Sequence, residues 1–488
     1  MRYYHLFFIL PTFILTAVAA VPEFGVASIG HQRLPRNFDH GLRAILSPHA
    51  SISHNVSSAP RWSEYHAPRP GAVVNVATEH DVQAVVQFCL KHNVPFLAQT
   101  GGHGWIDSFH LGRHGLLINL RGLNRTTFND QRTEARVQGG AVISEVIAEA
   151  YANDAQILTG NCNCVGTMGA ALGGGYGNLM GLYGFSVDNI LSMEVVLANG
   201  SAVTVSANQS TDLWWALRGA GPNFGIITSA VMKAYPMPRA KNVAWTGGLY
   251  FTEDKIEQIA QAINDTALRA PMNVFLYYTT AGPPSFTPTV LATTFYFGTE
   301  ADGRAAFDWL LRIGPYKDTT AELSYDQWNT AANSFCIKGG RKPSYGAGFD
   351  EFSPSTWRQI WNAYVDFLKI PGTGYSTVLT ECYSLSYAQS IPKSTSSFAN
   401  RDIRFNGAVI PWYTDPSLDA QAQAFGSKVR DLWRSTDGFA NNRTYINFAY
   451  GDETNEVVYD TSTPRLQKLK AEYDPRDVFN QWFNIPPA

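Results

Sequence analysis

From Val73 onward the chain alternates short apolar runs with amphipathic stretches, and that alternation predicts its elements. Thr78 stands where it caps a helix with Asp81 three residues on, and Val82, Val85, Val86, Cys89 and Leu90 then share one face. His92-Asn93 ends that helix, and the apolar run over 94–98 predicts a short buried strand. Residues 116–120 predict another strand. Ile143, Val146, Ile147, Ala150 and Tyr151 mark a second amphipathic helix. Two apolar runs, 193–197 and 202–205, flank Asn199-Gly200, the dipeptide of a tight hairpin. A short helix over 212–219 leads to a strand at 226–228, and Tyr235-Pro236-Met237-Pro238 reads as a boundary. Strand–helix alternation of this kind belongs to α/β or α+β architecture.

The pattern changes between about 240 and 440. Strand-like runs at 274–278 and 291–297 alternate with longer helices. One helix carries Ile256, Ile259, Ala260 and Ile263. Another carries Trp357, Ile360, Trp361, Tyr364, Val365 and Leu368, an aromatic stripe that reads as core packing. A last helix with Leu466 and Leu469 stops at Asp474-Pro475.

Composition narrows the class. A chain of 488 residues with 45% hydrophobic and 16% charged residues is globular, with material for two to three domains. Its net charge of −3 gives no electrostatic footprint for nucleic acid. Arg2, the apolar run over 6–18 and Ala17-Val18-Ala19 read as a cleaved secretory signal, residues 1–19, rather than a membrane span. Secretion agrees with six N-x-S/T acceptors, at Asn55, Asn124, Asn199, Asn208, Asn264 and Asn442, for which N-glycans are expected. Five cysteines (Cys89, Cys162, Cys164, Cys336 and Cys382) leave at least one sulfur without a disulfide partner.

Two glycine loops stand out. Thr100-Gly101-Gly102-His103-Gly104-Trp105 presents backbone N–H groups suited to a phosphate. The run from Gly160 to Gly166 holds Cys162 and Cys164 and continues to Gly173-Gly174-Gly175-Tyr176-Gly177, with glycine enough for a planar ligand to lie against the main chain. No G-x-G-x-x-G follows a strand, and Walker, H-E-x-x-H and G-x-S-x-G motifs are absent. Cys162-x-Cys164 lacks a second ligand pair at zinc spacing, so no metal site is expected. All eleven histidines lie at or before His114. Any acid–base group from the central region is therefore a carboxylate, tyrosine or lysine.

The segment 70–124, the two glycine loops, residues 212–228 and the tail 466–487 closely resemble the berberine bridge enzyme-like FAD-linked oxidases of the vanillyl-alcohol oxidase superfamily. The resemblance implies an α+β fold with an FAD-binding domain of the PCMH type at 61–238, completed by 441–488. A central α+β substrate domain at 239–440 would lay an antiparallel sheet over the flavin and back it with helices, and a lead-in would occupy 20–60. It further implies bicovalent FAD, bonded through His103 of the G-G-H loop and Cys162 of the G-x-C-x-x-V-G run. Thr100, Gly101, Gly102, Gly104, Trp105, Val165, Gly166, Gly173, Gly174, Gly175, Gly177, Gly225 and Ile226 would contact the cofactor. A thioether at Cys162 would account for the odd cysteine, with Cys164 left for packing or a disulfide. Val165 matches the valine that members carry where oxygen reaches the flavin readily.

The sequence departs from the family in three places. Trp105 stands where members often carry tyrosine, and Tyr445-Ile446-Asn447-Phe448 replaces Y-x-N-Y. The strand around 404–412, where the family places its catalytic carboxylate, has none between Phe405 and Trp412. Tyr445, Tyr450 and Asp402 remain as catalytic candidates. The implied function is a secreted, monomeric oxidase of a small organic molecule, with O2 as acceptor and H2O2 as product. An oligosaccharide oxidase and a non-redox cyclase with a structural flavin are the alternatives.

Overall fold

The computed structural model describes residues 34, 35 and 37–488. The expected signal segment lies outside them, as does the lead-in up to residue 33. The described part of that lead-in is more regular than its sequence suggests, with a helix at Phe38–Arg43 and a strand at Ser51–Ser53. Elements this short carry too few periods for a pattern to register.

Three sheets organise the chain. In the first, Ser51–Ser53 pairs antiparallel with Ala72–Asn75, followed by Leu116–Asn119 and Phe96–Gln99 in parallel. The parallel crossover is the helix Glu79–His92, which begins in a full capping box, with Asp81 accepting from the Thr78 N–H and Thr78 from that of Asp81. It ends at Asn93 in the left-handed conformation, which asparagine tolerates. The second sheet is antiparallel, in the order Thr126–Phe128, Glu134–Gln138, Ile226–Lys233, Ile190–Val196, Ala202–Ser206. Its last two strands are the hairpin read from Asn199-Gly200, and Gly200 takes the positive φ (78°) that this turn needs. Tyr235-Pro236 is a two-residue strand on Ala155-Gln156 rather than a plain linker.

The third sheet has eight strands, all antiparallel, with Val243–Phe251, Pro288–Phe297, Met272–Thr280, Thr377–Tyr383, Phe405–Ile410 and Tyr345–Phe349 in that spatial order. Side chains alternate across it. Val274, Leu276 and Tyr278 on one strand, and Val378 and Cys382 on the next, pack under the helices Ile256–Asp265, Pro354–Leu368 and Asp419–Arg434. Trp357, Trp361 and Tyr364 surround Tyr278 there, so the aromatic stripe is core. The opposite face presents Asn273, Phe275, Tyr277 and Thr279 to a cavity.

Candidate functional site

That cavity, of about 830 Å³, runs from Phe96, Phe479 and Gln481 beside the first sheet to Tyr250 and Thr319 on the third. Both glycine loops line it and touch each other. A Cβ on Gly101 would stand 2.6 Å from both the Cys164 oxygen and the Gly166 nitrogen, so only glycine allows this approach. Thr100 fixes the first loop by donating to the Gly139 oxygen at 2.7 Å. His103 stacks on Trp62 with centroids 5.6 Å apart, and Trp62 leans on Trp105, which in turn meets Phe448. The buried His103 Nε2 and Trp105 Nε1 have no partner in the protein. Burial, then the positive charges of Lys338, Lys342 and Arg61, holds the His103 ring well below its usual pKa. It is therefore a neutral imidazole, on a residue lining the cavity, whose Nε2 no protein group satisfies.

The electrostatics on the sheet side are simpler. Glu381 is the one carboxylate among the described residues lining the cavity. Burial pushes it up to about 7, against the Tyr383 hydroxyl, which donates to it at 2.7 Å. Tyr383 in turn accepts from the Asn161 amide at 2.6 Å, and the Asn178 N–H holds the oxygen of that amide. The carboxyl is thus oriented by a chain ending beside Cys162. Cys162 itself lines the cavity, and burial raises its thiol to about 11. Tyr445 also lines the cavity; its hydroxyl oxygen accepts from Asn447 Nδ2 at 2.7 Å and the Gly175 N–H at 3.3 Å. Burial raises the Tyr445 phenol, so it is a weaker base than Glu381.

Comparison with known proteins accords with this geometry. The family described as "FAD binding domain" matches residues 70–206, and "Berberine and berberine like" matches 444–486. The FAD-linked oxidoreductase tazL of Aspergillus terreus is 30% identical over 92% of this chain and 93% of its own. The chain belongs to the berberine bridge enzyme-like FAD-linked oxidoreductases. The FAD-linked oxidoreductase OXR1 of Pyricularia oryzae is likewise 30% identical, over 87% of this chain and 86% of its own. The fold is that of the xylooligosaccharide oxidase from Myceliophthora thermophila (TM-score 0.79, 22% identity, 92% of this chain and 99% of that one). Physcomitrella patens BBE-like 1 shares it too, at TM-score 0.80 and 19% identity over the same shares.

In this oxidoreductase the cavity brings together Thr100, Gly101, Gly102, His103, Gly104, Trp105, Cys162, Val165, Gly166, Gly225, Ile226 and Tyr445. The other candidates stand elsewhere. Gly173, Gly174, Gly175 and Gly177 serve packing behind it, where a Cβ would strike Asn447, Phe398, Ser186 and the Thr159 oxygen respectively. Tyr450 is in the core under the helices, stacked on Tyr345 at 4.0 Å and hydrogen-bonded to Tyr65. Asp402 is tied to Lys393 and Arg443 at the surface, and those cations lower its pKa against the opposing effect of burial. Glu381 escapes the sequence pattern because it lies one strand away from 405–412, opposite Asn406. The disulfide left open for Cys164 is present. Cys164 is bonded to Cys336, and three thiols remain, with Cys89 and Cys382 buried in apolar cores.

Proposed function

We propose that this enzyme binds FAD through bonds to His103 and Cys162 and oxidises a small organic alcohol or activated C–H, with O2 as the acceptor. The residues fit the cofactor: an unpartnered neutral imidazole, a thiol within 4.8 Å of it, and a glycine turn with N–H groups for a pyrophosphate. Residues 61–238 with 441–488 would hold it, and 239–440 would cover it with the third sheet. When bound, the flavin accepts a hydride and passes two electrons to oxygen, giving hydrogen peroxide.

Glu381 carries the reading. It stands on the wall facing both loops, with a pKa of about 7 suited to taking a substrate proton near neutrality. Tyr383 and Asn161 keep the carboxyl aimed. Trp105 and Phe448 form an apolar wall, Leu379 and Ile410 continue it, and the Tyr277 ring stands beside them. These surfaces suit a flat hydrophobic metabolite. Thr246, Thr279, Thr293 and Thr319 line the far end, and they support an oligosaccharide as the second reading. The non-redox alternative loses its main ground, the missing carboxylate. Peroxide release across a panel of aromatic alcohols and reducing sugars distinguishes the substrates; release with none of them would overturn the oxidase reading.

We further read the protein as a secreted monomer carrying N-glycans. Five acceptor asparagines are exposed, while Asn264 is half-buried and its amide oxygen accepts from the Phe352 N–H. Glycopeptide mapping should therefore find sugar at some of the five and none at Asn264.

A further inference from the structure

Residues 325–338 form a strap from the substrate side across the second glycine loop. The Tyr325 hydroxyl donates to the Ile157 oxygen at 2.8 Å, and Asn163 Nδ2 donates to Asn333 Oδ1 at 2.8 Å. Trp62 Nε1 donates to the Phe335 oxygen at 2.6 Å, and Lys338 reaches the Gly101 oxygen. Trp328, Ala331, Ser334 and Phe335 of the strap line the cavity. One covalent bond secures it, Cys164–Cys336. The Cys162 sulfur, a free thiol, lies only 3.6 Å from the Cys164 sulfur.

We propose that Cys162, Cys164 and Cys336 form an internal thiol–disulfide exchange set that releases the strap before flavin attachment and locks it once Cys162 carries the flavin. The proposal rests on Cys162 being the flavin-bearing cysteine. In the opening step the Cys162 thiolate attacks Cys164 Sγ; a Cys162–Cys164 bond forms, the Cys164–Cys336 bond breaks, and Cys336 leaves as the thiolate. One disulfide and one thiol stand on each side, so no external oxidant or reductant enters. The reverse step restores the strap and frees Cys162 as a nucleophile. With Cys162 bonded to the flavin, no thiol would remain within reach of the disulfide among the described residues. Burial keeps the Cys162 thiol largely protonated at neutral pH, which slows the exchange, while fixed proximity to Cys164 favours it.

Two full-length variants, produced with FAD and with oxidised glutathione supplied, test the exchange. In Cys336→Ser the only disulfide open to Cys164 is with Cys162, formed as glutathione is reduced. The flavin bond at Cys162 should then be lost while that at His103 remains. In the variant carrying both Cys164→Ser and Cys336→Ser no such competitor exists within reach, and Cys162 should be linked as in the parent chain. Peptide mass mapping reads both. A disulfide that merely braces the strap would affect the two variants alike, so equal linkage at Cys162, whether kept or lost in both, overturns the proposal. If the parent chain itself carries no flavin on Cys162, the attachment reading fails on its own. The exchange is then judged by acid-quenched alkylation of the parent chain and Cys162→Ser. Labelled Cys336 in the parent alone supports it, and unlabelled Cys336 in both overturns it.

Discussion

At the scale of single residues, Glu381 is the proposed base. Glu381→Gln keeps the shape and removes the base, so flavin reduction by substrate should slow by about 10²–10⁴-fold with flavin content unchanged. Asp402→Asn, at the surface ion pairs, should leave the rate as it is. Because the base works only when ionised, the parent rate should climb as pH rises through about 7 and fall below it. Anaerobic bleaching of the flavin's visible absorbance reads both effects. A flat pH profile would remove Glu381 from the proton transfer. That His103, Cys162 and the glycine turn share one cavity was legible because their residue types and spacing are themselves the signal. The place of Glu381 was not, because it comes from which strand lies beside which, and that pairing spans Glu381 and Asn406 across a loop without a short turn. Tyr450 and Asp402 misled for the same reason: sequence neighbours of site residues need not face the site.

At the scale of elements, periodicity did well wherever it ran for several turns or strand repeats. The helix Glu79–His92, the hairpin at Asn199-Gly200 and the helix Pro354–Leu368 all stand where apolar spacing and punctuation put them. Thr78→Ala should cost about 1 kcal/mol by removing the cap, measurable as a lower unfolding midpoint. The glycine run 173–177 shows the limit, since close packing and ligand approach both call for glycine. A stronger dependence holds the C-terminal segment. The fully buried Lys470 ammonium meets Asp474 at 2.7 Å and the oxygens of Asn223 and Phe479, while Asp474 accepts the N–H groups of Val478 and Phe479. Phe479 lines the cavity, so this pair ties fold to site. Asp474→Ala should lower stability by about 3 kcal/mol, the low end for breaking a buried pair, because the ammonium then keeps only Asp477 at 3.1 Å. Calorimetry of the flavin-loaded chain would show it, and an unshifted midpoint would contradict it.

At the scale of the whole molecule, the cavity exists because the third sheet turns a polar-and-aromatic face toward the two glycine loops while helices cover its other face. Function there opposes stability. A carboxyl raised from 4.5 to about 7 on folding binds its proton more tightly in the folded chain, so its contribution to stability declines as pH rises from 4.5 and is lost above 7. The difference corresponds to about 3 kcal/mol at 1.36 kcal/mol per unit. Glu381→Gln should therefore gain stability relative to the parent between pH 5 and 8, the opposite of its effect on rate. Midpoints that stay parallel across that range would show that the carboxyl is not buried as described.

The central claim is that one cavity, walled by both glycine loops, bonds the flavin twice. Acid precipitation of the purified protein tests it most directly. Yellow colour should stay with the pellet in the parent chain, in His103→Ala and in Cys162→Ala, each single variant keeping one bond. It should leave only in the double variant. Colour released to the supernatant from the parent chain would contradict the account.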